Sequence, residues 1–284
     1  MADALDARVR ARAGLAPWIV GRFVVPASRL GELRIELEGR AERLAASVIV
    51  DGTESISLAL ANLAQAARSA AHVVVLASVE CPLARIGSTS DEARIAAFAA
   101  ALEGAAFAAT PGVYLEIPLA RTQMERAVAA LATARTRGFE AFAKIRCGGL
   151  EASAIPAAER IAAFLRSASD AALPFKATAG LHHALPRYDV ELGATTHGFL
   201  NLAGAAAFAL LRGFDRETLA AMLSDRDVTH FTLDEDAFRW HGHSAAAAEI
   251  ARVRASFVHS YGSCSLTEPA DDLRDLGLLE RTPA

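Results

Sequence analysis

The chain has 284 residues, a hydrophobic content of 53%, a formal net charge of −4 and a pI near 6.1. A chain of this length buries a large core, and its weakly acidic balance lacks the basic footprint of a nucleic-acid-binding protein. No apolar run approaches the roughly 18 to 20 residues that span a bilayer. We therefore expect a small-molecule partner, with neither nucleic acid nor membrane.

The N-terminus and the cysteines favour a cytoplasmic protein. The first residues, MADALDARVRARAG, are charged and lack the apolar segment of a signal peptide. Cys81, Cys147 and Cys264 are widely spaced and odd in number, so they match neither a disulfide framework nor a zinc motif. A reducing cytoplasm is the simplest expectation.

Short apolar runs alternate with longer amphipathic stretches along the chain. The apolar runs predict strands at 19–25, 47–51, 72–79, 112–117, 140–146, 173–178 and 229–233, with a weaker eighth at 257–263. The stretches between them predict helices at 29–44, 54–70, 90–104, 121–137, 151–171, 198–224 and 244–256. Most neighbouring strands are separated by about the length of one βα unit.

This alternation predicts an α/β fold, a single TIM-barrel-like (β/α)8 domain over 1–284 with an extra N-terminal helix. No Pro-, Gly- or Ser-rich linker divides the chain. The competing fold, an open doubly wound sheet, normally carries a Gly-rich turn after its first strand, and FVVPASRLGE is no G-x-G-x-x-G.

Lysine is rare, and its two positions are informative. Only Lys144 and Lys176 occur, against 27 arginines, and both lie in apolar, strand-like runs, FEAFAKIRCGG and LPFKATAGLHH. An ammonium is costly to bury unless it is paired or neutralised. Desolvation readily shifts its pKa, which allows a lysine to act as a base or as a carbonyl nucleophile. A chance effect of the arginine-rich composition is the alternative.

Polar residues stand at the C-terminal ends of five predicted strands, where barrels carry their chemistry. They are Asp51, Glu80, Glu116, Lys144 with Arg146, and Lys176 with Thr178. Because strand side chains alternate, the two residues of each pair share one face. If that face is the lumen, two ammoniums, a guanidinium and several carboxylates converge on one pocket. A layer of salt bridges that only fills the barrel is the alternative.

The stretch KIRCGGLEASAIPAAERIAAFLRSASDAALPFKATAGLHH resembles the fifth and sixth βα units of class I aldolases of the deoxyribose-phosphate aldolase type. In that family a K-T-S-T-G-like motif carries the lysine that forms the Schiff base. Lys176-Ala177-Thr178-Ala179-Gly180 matches that motif, so the resemblance implies that Lys176 forms the imine. The resemblance covers about 40 residues, and the family's later lysine before Ser-Gly-Gly has no counterpart. We assign the supporting amine to Lys144.

Histidines follow the sixth predicted strand. His182, His183 and His197 lie where a barrel keeps catalytic groups, and one of them could be a general acid or base. With Glu116 or Asp51 they could instead bind a divalent metal. His241-Gly-His243 has H-x-H spacing but lies late, beside a predicted surface turn.

Two small-residue segments could bind an anion through backbone amides. They are Gly148-Gly149, next to the Arg146 guanidinium, and the turn that contains Ser263. Asn201 is expected to cap the helix that follows or to face the site. The candidates for binding substrate are Arg146, Gly148, Gly149, Asp51, Glu80, Thr178, His183, Asn201 and Ser263.

These residues predict an enzyme that acts on a small anionic carbonyl compound as a lyase or aldolase, with isomerase as the next class. Lys176 would form an imine or stabilise an enolate, and Lys144 would lower its pKa. Glu116, His182 or His197 would move the proton, and Arg146 would hold a carboxylate or phosphate. No cofactor is expected.

Two alternatives belong to other classes. One is a metal-dependent hydrolase that uses a divalent cation, loop histidines and a strand-end carboxylate. The other is a non-catalytic barrel that acts as a binding subunit. The alanine-rich helix at 198–212 could form a homo-oligomer interface or pack in the core.

Overall fold

The computed structural model describes residues 1–14, 17–40 and 42–279. Helices and strands alternate through the first part of the chain. These elements are α1 (Ala2–Ala13), β1 (Phe23–Pro26), α2 (Leu30–Leu37), β2 (Leu44–Ile49), α3 (Ile56–Ser69), β3 (Val74–Pro82), α4 (Asp91–Gly104), β4 (Gly112–Glu116), α5 (Arg121–Thr136), β5 (Ala141–Arg146), α6 (Ala158–Asp170) and β6 (Phe175–Thr178).

The later part of the chain interrupts this alternation with short antiparallel strands. Its elements are β7 (Arg187–Asp189), β8 (Ala194–Thr196), α7 (Phe199–Arg212), α8 (Arg216–Ser224), β9 (Phe231–Leu233), β10 (Ala237–Trp240), β11 (His243–Ala246), α9 (Ala247–Ser256), β12 (Val258–Tyr261) and α10 (Glu268–Asp275).

Seven parallel strands form one curled, barrel-like sheet in the order β1-β2-β3-β4-β5-β6-β12. Neighbours in the sheet are successive along the chain except at the last step, where β7 to β11 and three helices intervene. An open doubly wound sheet reverses its strand order at a switch point. The order within the described residues does not reverse, so the barrel-like alternative is the correct one.

The two faces of this sheet differ in chemistry. The face that packs against the helices is apolar and buried, as at Val79, Leu115, Ala143 and Phe175. The alternating positions on the inner face carry polar groups. They include Ser47, Ser78, Glu80, Glu116, Lys144, Arg146, Lys176 and Thr178. The period of two therefore divides each strand between a core and a polar lumen.

One predicted barrel strand was wrong and another was confirmed. The segment 229–233 contains β9, which pairs antiparallel with β10 in a separate three-stranded sheet with β11. The reason is local: a tight turn held by Asp234, whose side chain accepts hydrogen bonds from the amides of Asp236 and Ala237, folds β10 back on β9. A second turn at His241-Gly242, both with positive φ, folds β11 back on β10. The predicted eighth strand, at 257–263, contains β12, which pairs parallel with β6. Seven described strands thus form the parallel sheet, where eight were expected.

Several predicted helices were too long, and each has a local stop signal. The helix predicted at 29–44 ends at Leu37 because Glu38 is extended and Gly39 has a φ of 86°. Pro156 delays α6, predicted from 151, because the residue before a proline avoids the helical region. The helix predicted at 198–224 divides at Gly213, with a φ of 66°, and Asp215 caps α8. The start of the helix predicted at 244–256 belongs to β11.

Among the helices of the described ranges, none combines the length and the apolar character that crossing a membrane requires.

Candidate active site in the barrel lumen

Lys144 and Lys176 occupy neighbouring positions on the inner face of the sheet. Glu116 is in register with Lys144 across β4 and β5, and Lys144 is in register with Lys176 across β5 and β6. Their side chains therefore start from one row near the carboxyl ends of the strands. Glu80, on β3, is in register with Tyr114, two residues before Glu116. The sheet thus brings charged side chains from four strands close together in the lumen, with Glu80 two residues further from the carboxyl ends than the other three.

The carboxylate of Glu80 lies between the two ammoniums. Lys176 Nζ donates to Glu80 Oε1 at 2.5 Å, and Lys144 Nζ lies 2.9 Å from Oε2. The second contact is an ion pair without hydrogen-bond geometry, which leaves Oε2 without a hydrogen-bond donor. Lys144 Nζ also lies 2.9 Å from Glu116 Oε2. Two cations and two anions thus compensate each other, as burial requires.

Glu80 is a fixed anion. Its side chain is fully buried. Burial alone would raise the pKa of this carboxyl, but Lys176 and Lys144 outweigh it and lower that pKa to about 2. Glu80 therefore remains ionised at neutral pH and is a poor proton carrier there.

The two lysines differ in how strongly they hold a proton. Burial opposes protonation of Lys144, but its contacts with Glu80 and Glu116 prevail and raise its pKa. For Lys176, burial is the largest effect and lowers the pKa, Glu80 opposes it, and the charges of Lys144 and Arg22 lower it further. Lys176 is therefore the amine that more readily becomes neutral, and only a neutral amine attacks a carbonyl.

Two serines on the inner face fix the Glu80 carboxylate. The Ser47 hydroxyl donates to Glu80 Oε1 at 2.6 Å, and Ser47 Oγ lies 2.6 Å from Ser78 Oγ. Both serines are fully buried. Sequence reasoning missed them, although Ser78 precedes Glu80 by two residues and therefore shares its face.

Sequence reasoning also missed a pair of ring side chains that lies next to Lys176, toward the amino ends of the strands. Tyr114 Oη and His259 Nδ1 are 2.9 Å apart, and the His259 ring packs edge-on against Phe142. Lys176 Nζ lies 5.3 Å from the centre of the Tyr114 ring, within the range of a cation–π contact. Burial lowers the pKa of His259. The available signal was the two-residue spacing of Tyr114 and Glu116.

An open groove of about 490 Å³ adjoins the network at Glu116. Arg146 and Arg160 line it, together with Ser153 and the residues just before α6. Within the described residues neither guanidinium forms an ion pair, while the one acidic group in the lining, Glu116, is paired with Lys144. The side chain of Glu116 is 19% exposed, so it links the buried lysines to the groove. The groove has an excess of positive charge.

The turns after β5 and β6 touch each other. A Cβ on Gly148 would lie 3.0 Å from the Cα of Gly180, so both positions need glycine to let the two turns approach each other. A Cβ on Gly149 would lie 2.6 Å from the Cβ of Ala154. Thr178 donates its hydroxyl to the carbonyl of Ile145 at 3.3 Å. These candidate residues shape the rim of the lumen.

The loop histidines have separate partners. His182 Nδ1 lies 3.2 Å from Ser263 Oγ and 3.3 Å from Glu268 Oε2. His183 Nδ1 lies 3.4 Å from Asp272 Oδ1. These contacts tie the loop after β6 to the segment after β12, and they include the candidate Ser263.

His197, by contrast, is buried, and its Nε2 is 2.7 Å from the carbonyl of Pro156. Burial lowers its pKa. It lines a second groove of about 320 Å³, beyond the segment before α6.

The side chains of two other candidates form hydrogen bonds outside the lysine–carboxylate network. Asp51 accepts hydrogen bonds from the backbone amide and the hydroxyl of Ser28, which ties the end of β2 to the end of β1. Asn201 is fully buried and donates its amide to the carbonyls of Met222 and Asp225, at 2.7 and 2.8 Å. No described side chain caps α7, so the expectation that Asn201 caps its helix was wrong; its amide group holds the end of α8 instead.

In the part of the chain that the structure describes, the histidines and carboxylates expected for a metal-dependent hydrolase do not form a group of three potential ligands. Within the described ranges, the one group of three side chains with ligand atoms close enough for a cation is Asp225, His230 and His241. It includes none of His182, His183 and His197, and no strand-end carboxylate of the parallel sheet.

Comparisons with known proteins do not assign the chain to a family. No protein-family model matches it, and no curated protein does. A solved structure from Burkholderia cenocepacia J2315, described as a "putative lyase/mutase", is similar with a TM-score of 0.32 and 16% identity. The match covers 90% of this chain and 99% of that one. A likeness at this level carries no functional argument, so the chemistry of the site rests on its own residues.

Proposed function

We propose that the protein is a lyase of the aldolase kind, which binds a small anionic carbonyl compound and forms an imine with Lys176. The observation that carries the proposal is the shared carboxylate: Lys144 and Lys176, both buried, meet at Glu80 on the inner face of the sheet. A salt-bridge layer with a purely structural role is an expensive way to fill a core, because apolar replacements of buried ion pairs are often at least as stable.

The unequal environments of the lysines support Lys176 as the nucleophile. Lys144 contacts two carboxylates and Lys176 contacts one, which it shares. Lys144 therefore serves as a permanent cation that helps Lys176 to lose its proton, as a neighbouring charge does in other imine-forming sites. To react, the Lys176 amine leaves Glu80 and turns toward the groove, and Lys144 then retains Glu80 as its partner.

Glu116 is the group best placed to move protons. It faces the groove and contacts Lys144 Nζ at 2.9 Å. The Lys176 nitrogen attacks the substrate carbonyl carbon, and a proton delivered to the carbinolamine oxygen lets it leave as water. Glu116 then takes the proton of the hydroxyl group on the β-carbon. The bond between the α- and β-carbons breaks, the β-carbon leaves as the carbonyl carbon of a second product, and the electron pair of the broken bond moves into the iminium to give an enamine. Protonation of the enamine carbon and hydrolysis of the imine return the free lysine.

Arg146 and Arg160 support an anionic substrate. Both line the groove, and a guanidinium binds a carboxylate or phosphate through two parallel hydrogen bonds. The carbonyl of the substrate would then lie toward Glu116 and the lumen.

The experiment is reductive trapping. The protein is incubated with pyruvate, 2-oxobutyrate, glyceraldehyde 3-phosphate or dihydroxyacetone phosphate, reduced with borohydride, and its intact mass and peptide map are measured. We expect an adduct on Lys176 with at least one compound. Lys176→Arg keeps the charge and abolishes the adduct, whereas Lys144→Arg retains it at a reduced rate.

Because the chain has two lysines, the map distinguishes them directly. An adduct confined to the N-terminal amine or to Lys144, or no adduct with any carbonyl, contradicts the proposal.

A further inference from the structure

A second cluster of ionisable side chains lies outside the lumen network, where β9 and β10 meet the loop after α8. His230 Nδ1 is 2.9 Å from Asp225 Oδ2, and His241 Nε2 is 3.4 Å from the same oxygen. The three atoms all lie within 4.8 Å of one another. One oxygen and two imidazole nitrogens therefore converge on one point.

The antiparallel register of the small sheet brings the histidines together. Phe231 on β9 is opposite Trp240 on β10, so His230 and His241 face each other at the same end of this antiparallel pair. The backbone amide of His241 donates to the carbonyl of His230 at 3.3 Å, and the two imidazole centres are 4.0 Å apart. The histidines thus come from the two strands at one end of a short paired segment, which holds both ligands in place.

The carboxylate of Asp225 is fixed independently of the histidines. The indole N–H of Trp240 donates to Oδ2 at 2.8 Å, and the amide of Asp227 donates to Oδ1 at 3.0 Å. The backbone carbonyl of Asp225 accepts the buried Asn201 amide at 2.8 Å. Asp225 is therefore held in place from three directions, which leaves its Oδ2 aimed at the imidazoles.

Asp227 supplies an outer contact of the kind that metal sites use. Its Oδ2 lies 3.6 Å from His230 Nε2, and its Oδ1 accepts hydrogen bonds from the amide and hydroxyl of Thr229. When a histidine binds a metal through one nitrogen, the other nitrogen usually donates to a carboxylate or carbonyl, which fixes the ring and its tautomer. His230 has this arrangement, with Nδ1 toward Asp225 and Nε2 toward Asp227.

We propose that Asp225, His230 and His241 bind one divalent cation of the zinc class. Two imidazoles and a carboxylate are a ligand set that zinc accepts, and tetrahedral ligands about 2.0–2.2 Å from the metal lie roughly 3.3 Å from each other. The side chain of His241 is 47% exposed, so a fourth position is open to water. The cation fastens the β9–β10 hairpin to the end of α8, and the proposal is independent of the chemistry at Lys176.

The test is direct metal binding. Protein freed of its affinity tag and of metal is titrated with ZnCl2 in a calorimeter and with CoCl2 in a visible spectrometer. We expect one equivalent of Zn²⁺ to bind at micromolar affinity or tighter, a four-coordinate Co²⁺ spectrum, and a Tm that rises with Zn²⁺ because the cation binds the folded state.

Matched variants locate the site. His241→Asn removes a ligand but suits the turn, because asparagine tolerates the positive φ of 44° found there. It should weaken binding by at least about 100-fold, and Trp240→Phe, which removes only the donor to Asp225, by about 10-fold. Asp225→Asn should resemble His241→Asn. His72→Asn, at an exposed histidine outside the cluster, should bind as wild type does.

Failure to bind a stoichiometric equivalent overturns the proposal. Binding that keeps wild-type affinity in His241→Asn overturns it too, since the metal then sits elsewhere. In either case the contact between Asp225 and His230 is an ordinary hydrogen bond.

Discussion

Lys144 and Lys176 lie side by side on β5 and β6, and they contact opposite oxygens of one buried carboxylate, that of Glu80. The three groups behave as a unit, since neither lysine has a second carboxylate that is fully buried. Removing the shared anion leaves two ammoniums with only the partly exposed Glu116.

Glu80→Gln should therefore destabilise the fold strongly. Breaking a buried ion pair by removing one partner costs about 3–5 kcal/mol, because the remaining charge is left uncompensated. Urea unfolding measures the change in the free energy of unfolding. Glu116→Gln is the matched control and should cost clearly less, because Lys144 keeps Glu80. Equal losses in the two variants would show that Glu80 is not the centre of the network.

The same carboxylate makes stability depend on pH in the acid range. The pKa of Glu80 is about 2 in the folded protein, below its ordinary value of 4.5, because the two lysines outweigh the effect of burial. A group whose folded pKa is depressed stabilises the protein above its ordinary pKa, and this stabilisation is lost as the pH falls toward the folded pKa. The free energy of unfolding that the ionised Glu80 carboxylate contributes, and that is lost in acid, is on the order of 3 kcal/mol.

The difference in unfolding free energy between wild type and Glu80→Gln should narrow as the pH falls from 5 toward 2. The other carboxyl groups titrate in both proteins, so their contributions to the unfolding free energy largely cancel in this difference. Urea titrations at several pH values measure it. A constant difference would mean that Glu80 titrates near its ordinary pKa.

Strand periodicity predicted the polar strand ends because that signal is local. An apolar run precedes each of Glu80, Glu116, Lys144 and Lys176. The parallel order of the strands then brings these residues together on the inner face of the sheet. The predicted helices were too long because residues that end or begin a helix were overlooked. Gly213 and Asp215, for example, are an ordinary stop and start within the segment predicted as one helix.

The remaining features depend on contacts between distant parts of the chain. Tyr114 and His259 are 145 residues apart, and no local pattern pairs them. The segment 229–233 has the composition of a barrel strand, but its partner is the neighbouring hairpin. The cluster around Asp225 depends on the β9–β10 register, and it contains His241 but not His243, the other histidine of the H-x-H spacing.

Arg146→Gln should weaken substrate binding if the groove holds the substrate's anionic group. Loss of a charge-assisted hydrogen-bonding pair corresponds to about a 10- to 100-fold higher half-saturating concentration. The readout is the yield of the borohydride-trapped adduct against substrate concentration. Arg137→Gln, at an exposed arginine outside the groove, is the control. An unchanged concentration dependence in Arg146→Gln would place the anion elsewhere.

Gly148→Ala should destabilise the rim of the lumen. The new methyl group would lie 3.0 Å from the backbone of Gly180, closer than real Cβ atoms normally come to backbone atoms. Overpacking of this kind typically costs about 1–3 kcal/mol. Gly104→Ala is the control: it lies at the end of α4 with no atom near the added Cβ, and should gain about 0.5–1 kcal/mol. Similar unfolding free energies for the two variants would contradict the close approach of the two turns.

The three cysteines should differ sharply in reactivity toward a thiol reagent such as DTNB. Burial raises the pKa of Cys81 to about 11 and that of Cys147 to about 12, and neither side chain is accessible. Cys264 is exposed, and its Sγ lies 3.3 Å from His182 Nε2, a base that can accept the thiol proton. The folded protein should therefore release one equivalent of chromophore rapidly and three after denaturation. Cys264→Ser should remove the rapid phase and His182→Gln should slow it. Rapid labelling of a second thiol in the folded protein would mean that the sheet opens far more readily than its buried core implies.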